Sequence, residues 1–319
     1  MKNIWGKVKS FKEFTISIII IFLVIAISIK TPVFLSSSNI RTTAIGLACN
    51  GIVAIGMTIA LISGGFDLSV GSIMGLSAVL TVVFANMGIN VWLSALIAIA
   101  ISILVGGITG ELIGRYGLNA FITTLGVQQI TRGAVYVITD GSSISLPGGT
   151  ESFKNLGQGS IFGIPIIVLI FVILAIAGDF FVKRSSAAMK VFYVGSNEKA
   201  AILSGIDTKK VKVKVYMLTA SLAAFAGVLS ASRFGVATSN SGSGVEMVVI
   251  SAAVIGGASL SGGKGTIMGA VLGVVMLSII NNALVLFNVS VNWQSLISGM
   301  ILIIAITIDN FTHKKAQAV

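Results

Sequence analysis

The chain has 319 residues, of which 55% are hydrophobic and 10% charged, with a formal net charge of +11. Soluble domains carry about 25% charged residues, so this shortfall excludes an ordinary globular protein and points to an all-α, polytopic membrane protein. One cysteine, Cys49, excludes a disulfide framework, and one histidine, His313, excludes a His-containing metal cluster, so no metal is expected. The positive excess is what inner loops collect beside anionic lipid. No basic groove with interleaved aromatics accompanies it, so nucleic acid is not an expected partner.

A helix needs about 20 apolar residues to cross a bilayer core. Ten stretches qualify: 15–30, 42–62, 72–88, 91–113, 118–138, 162–182, 213–233, 246–260, 266–287 and 292–309. The first follows a basic start in the manner of a signal peptide. No small-residue cleavage site follows it, so it reads as an uncleaved span. With both termini in the cytosol, alternation puts all of the 21 Lys and Arg on the inner side except Lys30, Arg41, Arg132, Lys154 and Arg233. No odd number of spans does as well, because the start, the middle and the end of the chain are all basic.

Between spans 2 and 3 lies GGFDLSVGSIMG at 64–75. A carboxylate among apolar spans must face a cavity, a partner or the interface. Asp67 or Ser69 is placed to cap span 3, or to touch a solute. Span 5 carries Gln128, Gln129 and Arg132 as a polar stripe. Arg132 either lines a route or gate, or snorkels toward Asp140. The sizeable outer segment, 139–161, is polar and Gly-rich with a turn at Pro147-Gly148-Gly149, and is a docking surface or a plain solvated loop.

Segment 183–214 is a basic inner loop within a single membrane unit spanning 1–319. Ser196 or Asn197 can cap a short helix beginning at Glu198, and Gly205 can stop it in a left-handed conformation. Such a helix is unstable alone. Ile202, Leu203 and Ile206 give it an apolar face, for a cytosolic partner or for its own protein. Glu246 opens span 8, where a carboxylate suits a helix start. Residues 256–269, GGASLSGGKGTIMG, echo 64–75 with a two-residue insertion and in parallel orientation. Paired glycine interruptions mark a transport route, or simply allow close packing. The stretch also falls short of a phosphate loop, since Ala258 stands where glycine is needed and Gly265 follows Lys264. Asn281 and Asn282 interrupt span 9, and Asn292, Trp293 and Gln294 open span 10. Uncharged amides suit a polyhydroxylated solute, or bridge helices.

Together GGFDLSVGS (64–72), TLG and TRG (124–126, 131–133), GSNEKAAILSGI (195–206), VIGGASLSGGKGT (254–266) and residues 288–309 resemble the ribose-type permease subunits of bacterial sugar ABC importers. Departures are Phe66 for the usual Ile, Met189-Lys190 for Gly-Arg, and Ser196 for Gly. The resemblance implies a multi-pass inner-membrane subunit that carries ribose or a related monosaccharide and is not itself an enzyme. It implies two copies around a pore and two ATP-binding subunits that dock on Gly195, Asn197, Ala200, Ala201, Ser204 and Gly205. An extracytoplasmic sugar-binding protein would deliver the solute, and membrane lipid would surround the spans. The chain itself would need no cofactor, ATP being bound by its partners. Asp67, Ser69, Arg132, Asn281 and Asn282 are the candidates for path or gate. The competing expectation is an ion-coupled carrier of small polar solutes, with Asp67, Glu111, Asp179 or Asp309 as relay.

Overall fold

In lipid a backbone must satisfy its own N–H and C=O groups, and these apolar stretches do so as helices. The structure, a computed structural model, describes residues 2–290 and scattered helical positions between 293 and 307, with side chains described from Glu13 onward. In chain order the helices are α1 (Lys2–Lys30), α2 (Ser37–Ile62), α3 (Val70–Asn86), α4 (Val91–Gly114), α5 (Ala120–Thr139) and α6 (Glu151–Gln158). There follow α7 (Ile166–Arg184), α8 (Ser186–Ser196), α9 (Glu198–Leu203), α10 (Thr208–Phe234), α11 (Val245–Ile255) and α12 (Ile267–Leu286). A short 3-10 helix (Pro32–Leu35) and two small antiparallel ribbons accompany them. β1 (Ile144–Ser145) pairs with β4 (Val236–Ala237), and β2 (Ser160–Ile161) with β3 (Ile164–Pro165).

Six described helices are long and apolar enough to cross a membrane: α1 from Glu13, α2, α4, α7, α10 and α12. The apolar helices α3 and α11 are shorter. The architecture is therefore all-α and multi-pass. The expected spans from 15–30 to 266–287 fall on α1 to α5, α7, α10, α11 and α12. The expected span 292–309, with the basic C-terminus, lies largely outside the described residues.

Helix α2 is buried continuously from Gly51 to Ile62, and α3 from Val70 to Val82. These two form the centre, with α4, α10, α11 and α12 around them. Apolar burial drives little in lipid, so close backbone approach holds the helices. The seam between α4 and α10 shows how. A Cβ at Gly106 would sit 2.5 Å from the Tyr216 carbonyl oxygen, and one at Gly110 would sit 2.6 Å from Val213 Cα.

Two loops differ from expectation. Segment 183–214 is mostly helix, because Ser185 caps α8 by accepting from Ala187 N–H at 3.1 Å. Segment 139–161 is no plain solvated loop. It contains α6, whose Phe153 is fully buried edge-on against Trp92 with ring centroids 5.4 Å apart. The Ser232 hydroxyl of α10 donates to the Phe153 carbonyl.

Candidate functional site

One end of the bundle gathers the turn after α2, the α8–α9 junction and the turn between α11 and α12. The short helix α9 forms there as its sequence dictates. Asn197 Oδ1 accepts from Ala200 N–H at 3.0 Å, and Gly205 ends the helix at φ +76°. Of the residues expected to meet a partner, Asn197, Ala200, Ser204 and Gly205 are exposed, while Ala201 is turned inward and buried. The apolar tip is Leu203, 90% exposed, beside the exposed Ile202. An ion pair between Lys212 and Glu198 at 2.7 Å ties α9 to α10. Beside it opens a cavity of about 310 Å³ bordered by Gly65, Gly117, Glu198, Lys212 and Tyr216. Asp207 caps α10, accepting from Lys210 N–H at 3.0 Å. That bond, and then the Lys210 ammonium, hold its carboxyl below the ordinary aspartate range.

Gly195, the remaining residue of that set, is half-buried. It is wedged where the two echoed loops meet. A Cβ there would lie 1.8 Å from the Ile62 carbonyl oxygen and 2.8 Å from Gly263 N. Gly263 N–H donates to that same Ile62 carbonyl at 2.8 Å, joining the turn after α2 to the turn before α12. Gly262, at φ +82°, closes the third side, where a Cβ would sit 2.5 Å from the Gly195 carbonyl and 2.9 Å from Gly64 Cα. The internal repeat of the sequence is thus a clasp around the root of α9, a contact that no linear pattern reveals.

Asp67 lies deeper and is 1% exposed. Its Oδ1 accepts from Ser69 N–H at 3.0 Å and from Ser69 Oγ at 2.5 Å, and its Oδ2 from Thr219 Oγ1 at 2.6 Å. Thr219 stands about 16 Å along α10 at 1.5 Å per residue, so the turn after α2 folds back into the bundle. Ser69 does not cap α3 with its side chain, because its backbone is already helical at φ −78°. Both residues therefore tie the start of α3 to α10.

The α11 entrance brings distant residues together. Arg132 of α5 does not run to the interface. Its Nη1 donates to the carbonyls of Ser239 at 3.0 Å and Ser241 at 2.8 Å. One turn earlier, Gln128 Nε2 donates to Glu246 Oε1 at 3.1 Å. Thr131 Oγ1 donates to Ser72 Oγ of α3 at 2.6 Å. Nothing in the sequence pairs Gln128 with Glu246, which lie 118 positions apart. Asn282 is elsewhere, in a reciprocal amide pair with Asn39 of α2 at 2.8 and 2.9 Å. Asn281 is half-buried beside it.

Residues 39–306 match the family described as "Branched-chain amino acid transport system / permease component". The ribose import permease protein RbsC of Bacillus subtilis is 37% identical over 90% of this chain and 89% of its own length. The RbsC of Escherichia coli is 32% identical, covering 92% of both chains. The L-arabinose transport system permease protein AraH of Escherichia coli is 33% identical over 96% of this chain and 93% of its own. No solved structure matches the chain.

Proposed function

This chain belongs to that family of transport-system permease components, and from that premise we propose that it is the membrane subunit of an ATP-driven importer of a pentose or similar monosaccharide. Whole-length similarity to permeases named for ribose and L-arabinose carries this reading. The family description names branched-chain amino acids instead, which makes an amino acid the solute to test against. In this proposal two copies of the chain surround the path, both termini lie in the cytosol, and ten spans cross the inner membrane. Two ATP-binding subunits supply the energy, so the chain needs no cofactor of its own. An extracytoplasmic protein delivers the solute.

The exposed tip of α9 supports the docking part. Leu203 and Ile202 project apolar surface from a helix fixed at its root by the glycine clasp and at its side by Lys212. An ATP-driven motion applied at α9 would reach α2, α3, α11 and α12 together. The ion-coupled alternative loses support, because Glu111 and Asp179 are engaged by Arg115 and Lys183 and two hydroxyls hold Asp67; Asp309 lies outside the described residues. Co-expression with a candidate ATP-binding subunit tests the proposal. Leu203→Asp is expected to lose copurification and uptake together, whereas Ile164→Asp, at the opposite end, keeps both. Full uptake by Leu203→Asp would remove the docking role.

A further inference from the structure

We propose that the entrance of α11 is a station inside the membrane that takes a hydroxyl group of a neutral polyhydroxylated solute in transit. The proposal rests on the sugar reading above and assigns it a place. It starts from depth. Helix α5 is about 30 Å long, and at 1.5 Å per residue Gln128 stands about 12 Å and Arg132 about 18 Å along it. The groups they hold, Glu246 and the carbonyls of Ser239 and Ser241, are therefore near mid-span.

Helix α11 has 11 residues and begins there, after a non-helical approach through 238–244. The approach lies against the glycine face of α3, where a Cβ at Gly75 would be 2.4 Å from the Ser241 carbonyl. Gly244 precedes α11 in a left-handed conformation and brings no side chain to cap its first turn. A half-helix start at mid-depth is a common place for solute in transporters.

A helix start alone would not make a site. Glu246 adds the independent observation. It is 7% exposed, with Oε1 held by Gln128. Its other oxygen, Oε2, is buried beside Gly71 of α3 and has no hydrogen-bond partner among the described residues. A buried acceptor without a donor costs free energy that a passing O–H group would recover. Carboxylate and guanidinium offset one another in this cluster, so it favours a neutral solute over an ion. Arg132 Nη2 and Nε donate to no protein group among the described residues, which leaves donors for a hydroxyl oxygen.

Access comes across α5. On its outer side Gln129 is exposed among the apolar side chains of Ile122, Leu125, Ile130 and Val137. On that side Gly126 and Gly133 have nothing within 4 Å of an added Cβ. This mainly apolar face is not covered by the rest of the chain and belongs against lipid or a second copy, and a second copy there would set the path beside Gln128 and Arg132.

The test uses the complete transporter in proteoliposomes, with its ATP-binding subunits and binding protein, and follows uptake and ATP turnover separately. The probes are D-ribose, its monodeoxy derivatives and L-leucine. Glu246→Gln is expected to slow D-ribose about tenfold, the worth of one charge-assisted hydrogen bond, while ATP turnover persists. At least one deoxy derivative, lacking the hydroxyl in question, crosses wild type and variant equally fast. Gln128→Ala gives the same selective pattern on a smaller scale, and keeps the question open if Glu246→Gln folds poorly. Equal slowing of every probe would make Glu246 a packing residue and overturn the station. So would unchanged uptake of D-ribose. A wild type that carries L-leucine and none of the sugars would remove the sugar reading itself, a distinct outcome.

Discussion

Replacing Gly195 by alanine adds one methyl group at the tightest point of the clasp. The new Cβ would stand 1.8 Å from the Ile62 carbonyl oxygen. Carbon–oxygen contacts settle at about 3.3 Å, so the gap must open by about 1.5 Å. Opening it strains the 2.8 Å bond from Gly263 N–H to the same oxygen. Overpacking of this kind costs about 1–3 kcal/mol, and the lost bond adds about 1 kcal/mol. The cheapest escape is for α9 to swing away from the bundle. We therefore expect Gly195→Ala to fold and to bind the ATP-binding subunits, but to move at least about tenfold less solute per ATP hydrolysed, since about 1.4 kcal/mol is a factor of ten. Gly88→Ala is the control. Gly88 is left-handed at φ +87° with nothing within 4 Å, so alanine there costs only about 1–2 kcal/mol of local strain and leaves both the clasp and α9 untouched. Uptake and phosphate release measured on the same proteoliposomes give the ratio. A Gly195→Ala protein with the wild-type ratio would refute the reasoning, and equal damage from both substitutions would reduce it to backbone strain.

Two further outcomes are expected. Thr219→Val removes a donor from the buried Asp67 carboxylate and should destabilise the purified protein by about 1–3 kcal/mol. Thr219→Ser should not, and equal melting temperatures for the two would show that the bond carries no weight. Asn39→Ala and Asn282→Ala should couple by about 0.6 kcal/mol in a double-mutant cycle, with about 1.7 as a ceiling, and strict additivity would mean that the amide pair does not bridge α2 and α12.

The membrane helices and α9 were legible because their signals are local. Apolar length marks the first, and an Asn cap followed by a left-handed Gly marks the second. Helix α8 was missed because it is too short to span a membrane and lies inside a basic segment read as a loop, although its cap at Ser185 was there to read. Phe153 gave no warning of burial, since one aromatic in a polar segment carries no period. Ser69 looked like a cap, yet its backbone is helical and its hydroxyl turns to Asp67. The pairings of Gln128 with Glu246, Asn39 with Asn282 and Gly263 with Ile62 depend on which helices become neighbours. Glycine spacing announced that something packs closely in both repeats, but not that they grip the same residue.

That grip is made of main-chain atoms: a carbonyl, an amide N–H and bare α-carbons. Such a joint is indifferent to the side chains that tell one cargo from another. Drive train and cargo wall should therefore be interchangeable parts. Hybrids that graft α5 and the α11 approach of a relative named for a different sugar onto this frame would keep their coupling to ATP and change only what they carry.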